Sequence, residues 1–193
     1  QFGKGLFHPK IWMLFGEQEG LLIVGSGNLT YSGNGGGDEV WSAFHFDGRQ
    51  QHHAAVFASA WAYLSRLSSF AKGIVAEKTT RWITEHTPWL ASLPKTRLEG
   101  FSKLDNGEEA AFVYNQPQNG ILQQLGDLVG NDKIAEILLM SPYYDVKGKA
   151  IEAIRDLFPS CPINIVLEEN GLLPLSVTAN KRYSFYDWKT VGI

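Results

Sequence analysis

The sequence predicts an α/β fold, a mixed sheet with flanking helices. Short apolar segments bounded by Gly, Pro and Asn alternate with segments of helical periodicity, most regularly in the second half of the chain. The composition is that of an ordinary globular protein, with 44% hydrophobic, 19% charged and 12% aromatic residues. A length of 193 residues suffices for one domain, or for two halves of a larger one.

The first elements are a hairpin and a third strand. Residues 10–15 and 21–25 are apolar runs joined by the turn 16–20, and a strand resumes at 39–46. The intervening stretch, 28–37, is rich in Gly, Asn and Ser. This composition is typical of a loop that lets the backbone approach a ligand closely.

Helices dominate the middle of the chain, and strands alternate with helices after it. Apolar residues recur at helical spacing over 51–68, and a second helix is predicted over 79–90, ending near Pro94. The later predicted elements are a strand over 110–114, a helix over 121–129, a strand over 134–140, a helix over 148–158, a strand over 163–167 and a loop over 171–180.

The periodicity is interrupted between Pro94 and Gly120, where Pro, Asn and Gly cluster. A domain boundary is therefore expected in this stretch, and we divide the chain into residues 1–105 and 106–193.

Charge and cysteine content limit the function classes. The net charge is −3, without the basic excess of a dedicated duplex-binding domain, so any contact with nucleic acid must be local. The single cysteine, Cys161, excludes an internal disulfide framework and a multi-cysteine metal site. There is no recognisable signal peptide and no apolar run long enough to span a bilayer. We expect a cytoplasmic protein with no membrane partner.

Polar residues cluster at one end of the predicted hairpin. His8 and Lys10 are two residues apart in an extended segment, so their side chains point the same way, and Asn28 follows the neighbouring strand. An imidazole can act as nucleophile or general acid, an ammonium can hold the charge of a phosphoryl group, and an amide adds an oriented donor. These residue types indicate phosphate chemistry.

His-Pro-Lys at 8–10, followed by Gly-Ser-Gly-Asn at 25–28, resembles the phospholipase D superfamily, whose members carry a His-x-Lys motif and a Gly-Ser-x-Asn segment. The resemblance covers residues 6–41. Many members also have an aspartate after the lysine, at the position that Phe15 occupies here. The pattern is closer to the His-Lys-Asn branch, which includes tyrosyl-DNA phosphodiesterases and the nucleases of restriction and helicase-associated systems.

This resemblance implies a phospholipase D-like fold with parts of two related lobes. Residues 1–105 would hold the end of the first lobe with its motif, and 106–193 the start of a second, which Ser-Pro-Tyr-Tyr-Asp at 141–145 resembles. The implied activity is cleavage of phosphodiester bonds in nucleic acid, DNA rather than RNA. It proceeds through a phosphohistidine intermediate without metal or cofactor.

The resemblance also implies residue roles. His8 is the nucleophile or the general acid, and Lys10 and Asn28 neutralise the phosphoryl oxygens. Glu39 accepts a hydrogen bond from the other ring nitrogen of the histidine, and Ser26 contacts the substrate.

The family builds its site from two His-x-Lys motifs, whereas this sequence contains one. The other histidines, which are His45, His52, His53 and His86, lack a lysine two residues later. The second motif is therefore expected from a homodimer partner or from the remainder of a larger chain, and residues 1–193 as a monomer are expected to have little or no activity. The alternative is a module of a helicase or restriction system that binds nucleic acid or acts as a scaffold without turnover.

Structural interpretations compete with these roles. Asn28 can be a turn residue, Ser26 a strand-end hydroxyl, and Asp38 can take the role given to Glu39.

The His52–His53 pair opens a helix and lacks further ligands at metal-binding spacing, so no metal is expected. Stacking on bases is one interpretation of the tryptophans Trp41, Trp61, Trp82 and Trp89, but those at helical spacing are expected in the core. Trp12 and Trp41 are nearest the motif. A solvated surface is expected for the basic residues Lys78, Arg81, Lys95, Arg97 and Lys103.

Overall fold

A computed structural model describes the chain in two compact units, Gln1–Tyr114 and Asn115–Ile193. The residues it describes are 8–31, 33, 39–48, 51–71, 73–95, 100–104, 106–130, 134–141, 143–167, 173, 175–178, 182–187 and 189. Within these ranges, no helix combines the length and the apolar character needed to cross a membrane. The predicted boundary followed residue 105, and the assignment of the two parts to phospholipase D-like lobes stays a prediction.

The first unit is built on an antiparallel sheet with the strand order β1-β2-β3. Its strands are β1 (Ile11–Phe15), β2 (Gly20–Gly25) and β3 (Trp41–Phe46). Ile11 lies opposite Val24, and the same β2 strand pairs with β3 on its other side. The predicted hairpin is confirmed, and the third strand begins two residues later than predicted.

The core of the first unit lies on one face of this sheet. Phe46 points to that face and contacts Phe57 of helix α1 (Gln51–Phe70), with 5.6 Å between the ring centroids. Trp89 packs against both rings, and its indole N–H donates a hydrogen bond to the Gly16 carbonyl at 3.0 Å. A buried indole with its polar hydrogen satisfied thus joins the sheet to the helical layer.

The second predicted helix has different ends in the structure. Helix α2 (Ile74–His86) begins before residue 79 and is followed by a 3₁₀ segment, Pro88–Ser92. Proline lacks the N–H that a continuing helix requires and disfavours helical geometry in the residue before it, and Thr87 has φ −127° and ψ 76°. The prediction of one helix over 79–90 was therefore wrong at the proline.

The strand predicted over 110–114 was wrong beyond Ala110. A short pair forms instead from β4 (Ser102–Lys103) and β5 (Glu109–Ala110), and residues 111–114 have no regular structure. This apolar run packs its aromatic rings on a helix, because Phe112 and Tyr114 contact Tyr63 of α1.

The second unit is built on a parallel sheet with the strand order β6-β7-β8. Its core contains Ile151, Ile163 and Ile165. The alternation predicted between 121 and 167 is confirmed, although the first strand begins at residue 137. In chain order, the elements are α3 (Ile121–Val129), β6 (Ile137–Met140), α4 (Lys149–Leu157), β7 (Ile163–Leu167), α5 (Leu175–Thr178) and β8 (Tyr183–Asp187).

Two features near the end of the chain differ from the predictions. The predicted loop 171–180, which lies partly outside the described residues, contains the short helix α5. That helix places Val177 in the core, so tertiary packing overrides a weak local signal. Strand β8 was not predicted, and its Tyr183 is buried in the same core.

The predicted α/β class is confirmed. Among the described residues the strands divide into separate antiparallel and parallel sheets, and they do not form one mixed sheet. The short turn between β1 and β2 allows antiparallel pairing, whereas the parallel neighbours β6 and β7 are joined by a crossover through α4.

Candidate active site

The predicted site lies where the strands of the first sheet end. The carbonyl of Lys10, just before β1, accepts a hydrogen bond from the Gly25 N–H at 3.2 Å. Just after β2, the Ser26 N–H donates to the Val40 carbonyl at 3.0 Å. The pairing of the sheet therefore continues past the strands on both sides of β2, and it brings the segments that carry the motifs side by side.

Lys10 and His8 meet at this edge. The Lys10 ammonium donates a hydrogen bond from Nζ to the His8 carbonyl at 3.3 Å. His8 is exposed and Lys10 is half-buried. The cation is therefore held beside the backbone of the histidine, whose side chain is accessible to a ligand.

Asn28 is exposed at the start of the loop after β2. Its carbonyl accepts the Thr30 N–H at 2.8 Å, and the Thr30 hydroxyl accepts the Gly33 N–H at 3.1 Å. A Cβ on Gly33 would lie 2.3 Å from the Asn28 carbonyl oxygen, so only glycine fits this turn. Residues 32 and 34–38, which include the alternative carboxylate Asp38, lie outside the described residues.

Glu39 and Ser26 are hydrogen-bonded to each other. The Ser26 hydroxyl donates to the Glu39 carboxylate and accepts the Val40 N–H at 3.1 Å. The hydroxyl thus has a donor and an acceptor within its own sheet edge, and it fixes the position of the carboxylate. The roles that the resemblance gives to these residues, a substrate contact and a partner for His8, stay predictions.

Trp41 explains the glycines of the Gly-Ser-Gly-Asn segment. A Cβ on Gly25 would lie 2.2 Å from the indole, and a Cβ on Gly27 would lie 2.5 Å from it. The nearest indole atoms include Cδ2 and Cε2, the carbons shared by the two rings, so the contact involves the face of the indole. The tryptophan ring therefore lies over the end of β2 and the start of the following loop, in the space that side chains at Gly25 and Gly27 would fill.

Lys10, Trp12 and Trp41 share the sheet face that points away from α1. Side chains alternate along a strand, and the intervening Ile11 and Met13 pack against the core. Trp12 and Trp41 are in ring contact, with centroids 5.4 Å apart and planes at 59°. Both indoles are partly exposed.

A cavity of about 340 Å³ in the first unit lies on the other side of the sheet, between α1 and the 3₁₀ segment. Trp61, Leu90 and Tyr114 line it, with Lys95 at its border, and none of the predicted site residues does. Burial, followed by the neighbouring Tyr114, raises the pKa of the nearby Tyr63. Its phenol therefore stays neutral at physiological pH.

Among the residues that the structure describes, no group of three or more His, Cys, Asp or Glu side chains is placed to hold a metal ion. In the predicted histidine pair, Nδ1 of His53 is 2.5 Å from the His45 carbonyl oxygen, and the side chain of His52 lies outside the described residues. His53 thus has a structural contact at the start of α1.

The expectations for the other tryptophans and basic residues have mixed outcomes. Trp89 is in the core as expected. The expectation was wrong for Trp82, which is 58% exposed on α2 and stacks on His86. The described basic residues Lys78, Arg81, Lys95 and Lys103 are exposed, as expected, and Arg97 lies outside the described residues.

No family model matches the chain, and neither the curated proteins nor the solved structures contain a match.

Proposed function

We propose that this chain carries one half of a phospholipase D-like active site and cleaves phosphodiester bonds in nucleic acid, DNA in preference to RNA. The observation that supports this most is the meeting of Lys10 with His8 beside the Gly-Ser-Gly-Asn segment at one edge of a sheet. A nucleophile, a cation and an amide in adjacent segments are the groups that metal-independent phosphoryl transfer needs.

In the proposed reaction, a ring nitrogen of His8 attacks phosphorus and the bond to the leaving oxygen breaks. A second histidine gives that oxygen its proton. The same histidine then removes a proton from water, which attacks the phosphohistidine and releases His8. Lys10 and Asn28 donate hydrogen bonds to the non-bridging oxygens. Glu39, held by Ser26, stabilises the charged imidazole.

The second His-x-Lys motif comes from outside these residues, since the sequence has one such motif. A second copy of the chain is the simplest source, because a twofold axis places two identical motifs against one phosphate. The remainder of a larger chain is the other source.

A second candidate function is a module that binds nucleic acid without cleaving it. The single motif favours this alternative, because one histidine cannot both attack phosphorus and protonate the leaving group in the same step.

The test is cleavage by the full 193-residue chain in excess EDTA. The substrates are single-stranded DNA, duplex DNA, RNA, a phosphatidyl substrate and a chromogenic phosphodiester. We expect cleavage of DNA that persists with EDTA, is abolished in His8→Ala, and rises per chain with protein concentration as dimers form. Mass spectrometry of a quenched reaction should find the phosphoryl adduct on His8.

Lys10→Met should lower kcat by about 10²–10³-fold, the loss typical of one preorganised donor. Glu19→Gln is the matched control, because Glu19 is an exposed residue at the opposite end of the same sheet. Cleavage that survives in His8→Ala, or that EDTA abolishes, would contradict the proposal. Binding of DNA without turnover at every protein concentration would contradict an active site completed by a second copy of the chain and would favour the second candidate.

A further inference from the structure

The outward face of the first sheet carries two partly exposed indoles next to a cation. Lys10 and Trp12 are two residues apart on one face of β1, about 7 Å along the strand. Gly25 of β2 lies between Lys10 on one side and Trp41 of β3 on the other. The Trp41 ring contacts that of Trp12. The proposed reaction uses the lysine and leaves the two tryptophans without a role.

The orientation of Trp41 suits it for stacking. One face of its indole lies on Gly25 and Gly27, as the contacts of its ring-fusion carbons require. Its opposite face is therefore directed away from the strand. Trp12 is tilted against it at 59°, so the pair forms a two-sided aromatic corner. The glycines keep this ring flat, because a side chain at either position would displace it.

We infer that Trp12 and Trp41 form a stacking platform for an unpaired base of single-stranded nucleic acid, whose neighbouring phosphate lies against Lys10. This inference rests on the proposed function and names its substrate class. An indole accepts the face of any base, whereas the bases of a duplex are covered by their neighbours. The chain is acidic overall, so the local cation and the aromatic surface must supply the recognition that bulk charge does not.

The test compares three ligands by fluorescence anisotropy with the full chain: a labelled oligothymidine, an abasic strand of the same length, and a duplex. The abasic strand has the same phosphates and lacks the bases. We expect the oligothymidine to bind about tenfold more tightly than either of the others, the effect of stacking roughly one base. Equal affinity for the abasic strand would overturn the inference.

Variants separate the platform from the fold. Trp12→Leu keeps the apolar bulk and should weaken binding of oligothymidine about tenfold without changing the affinity for the abasic strand. Trp12→Phe should recover most of the loss. Trp82→Ala is the matched control, because that tryptophan is exposed on a helix away from the sheet. Unchanged binding of oligothymidine by a folded Trp12→Leu would overturn the inference.

The platform and the proposed reaction can fail separately. If cleavage does not depend on His8 but binding depends on Trp12, the proposed reaction is wrong and the platform stands. If cleavage depends on His8 but binding is indifferent to Trp12, the platform is wrong and the reaction stands.

Discussion

The two sheets of this protein use their polar residues differently. In the first sheet, His8 and Asn28 lie beyond the strand ends and are exposed. In the second, Asn164 is buried within β7 and hydrogen-bonds Glu136, and the Asp145 carboxylate accepts the N–H groups at the start of α4. The fold of the second sheet satisfies these groups itself, whereas the first sheet leaves its groups accessible to a ligand.

The carboxyl end of the second sheet is the usual position for a ligand site. Ligands in open parallel sheets commonly bind beyond the carboxyl ends of the strands, and Ser141 directly follows β6 there. The Ser141 hydroxyl is hydrogen-bonded to the backbone of Tyr143, and Asp145 caps a helix. Ser141 and Asp145 therefore have structural partners, and the first unit is the better location for chemistry.

Removing Trp89 should have the largest effect on stability. This residue is 7% exposed, contacts Phe15, Phe46 and Phe57, and donates a hydrogen bond to Gly16. We expect Trp89→Ala to lower the free energy of unfolding by about 3–5 kcal/mol, the cost of a large buried cavity. Urea denaturation followed by circular dichroism measures it.

Trp82→Ala is the matched control, with an expected change of less than about 1 kcal/mol because the side chain is 58% exposed. Equal losses in the two variants would show that the sheet does not depend on the Trp89 contacts.

A smaller loss of stability is expected from a substitution of Gly27, one of the glycines under the Trp41 ring. A Cβ at Gly27 would lie 2.5 Å from both the indole and the Gly33 carbonyl. We expect Gly27→Ser to cost about 1–3 kcal/mol, the range for overpacking, and to weaken binding of oligothymidine by moving the indole. Denaturation and anisotropy measure the two changes.

Gly73→Ser makes the same chemical change where a Cβ would meet nothing within 4 Å. Because serine and glycine are both accepted at a helix N-cap, its stability should change by less than about 1 kcal/mol. If Gly27→Ser were as well tolerated, the glycines would not be required by the ring.

The sequence could predict what short-range patterns determine. The hairpin and the alternation from 121 to 167 follow from apolar runs and turn residues, and the candidate residues follow from one motif. Long-range packing could not be predicted. The exposure of Trp82, the irregular segment 111–114 and helix α5 depend on which surfaces meet. The packing of Trp41 on two glycines depends on the register between β2 and β3, which a loop connects. The apolar pattern of either strand alone does not determine that register.

Substitution of Asp145 should have the smallest effect on stability. It is also the most direct test of the difference between the two sheets. The N–H groups of Ala150 and Lys149 hold the pKa of its carboxyl below the usual 3.8. Its stabilising contribution is therefore fully present above pH 3.8 and is lost as the pH falls below that value through the lowered pKa. Asp145→Ala should lower the urea midpoint at neutral pH, and the difference from the wild type should shrink in acid.

Asp145→Asn is the control for titration, because an amide oxygen caps a helix without ionising. Its urea midpoint should fall less than that of the wild type as the pH drops below 3.8. Neither variant should change DNA cleavage or the binding of oligothymidine, since the carboxylate is engaged with the helix. A loss of cleavage or binding in a folded Asp145→Ala would place a functional group in the second unit. The inference that the polar groups of the second sheet are structural, and that only those of the first sheet bind a ligand, would then be wrong.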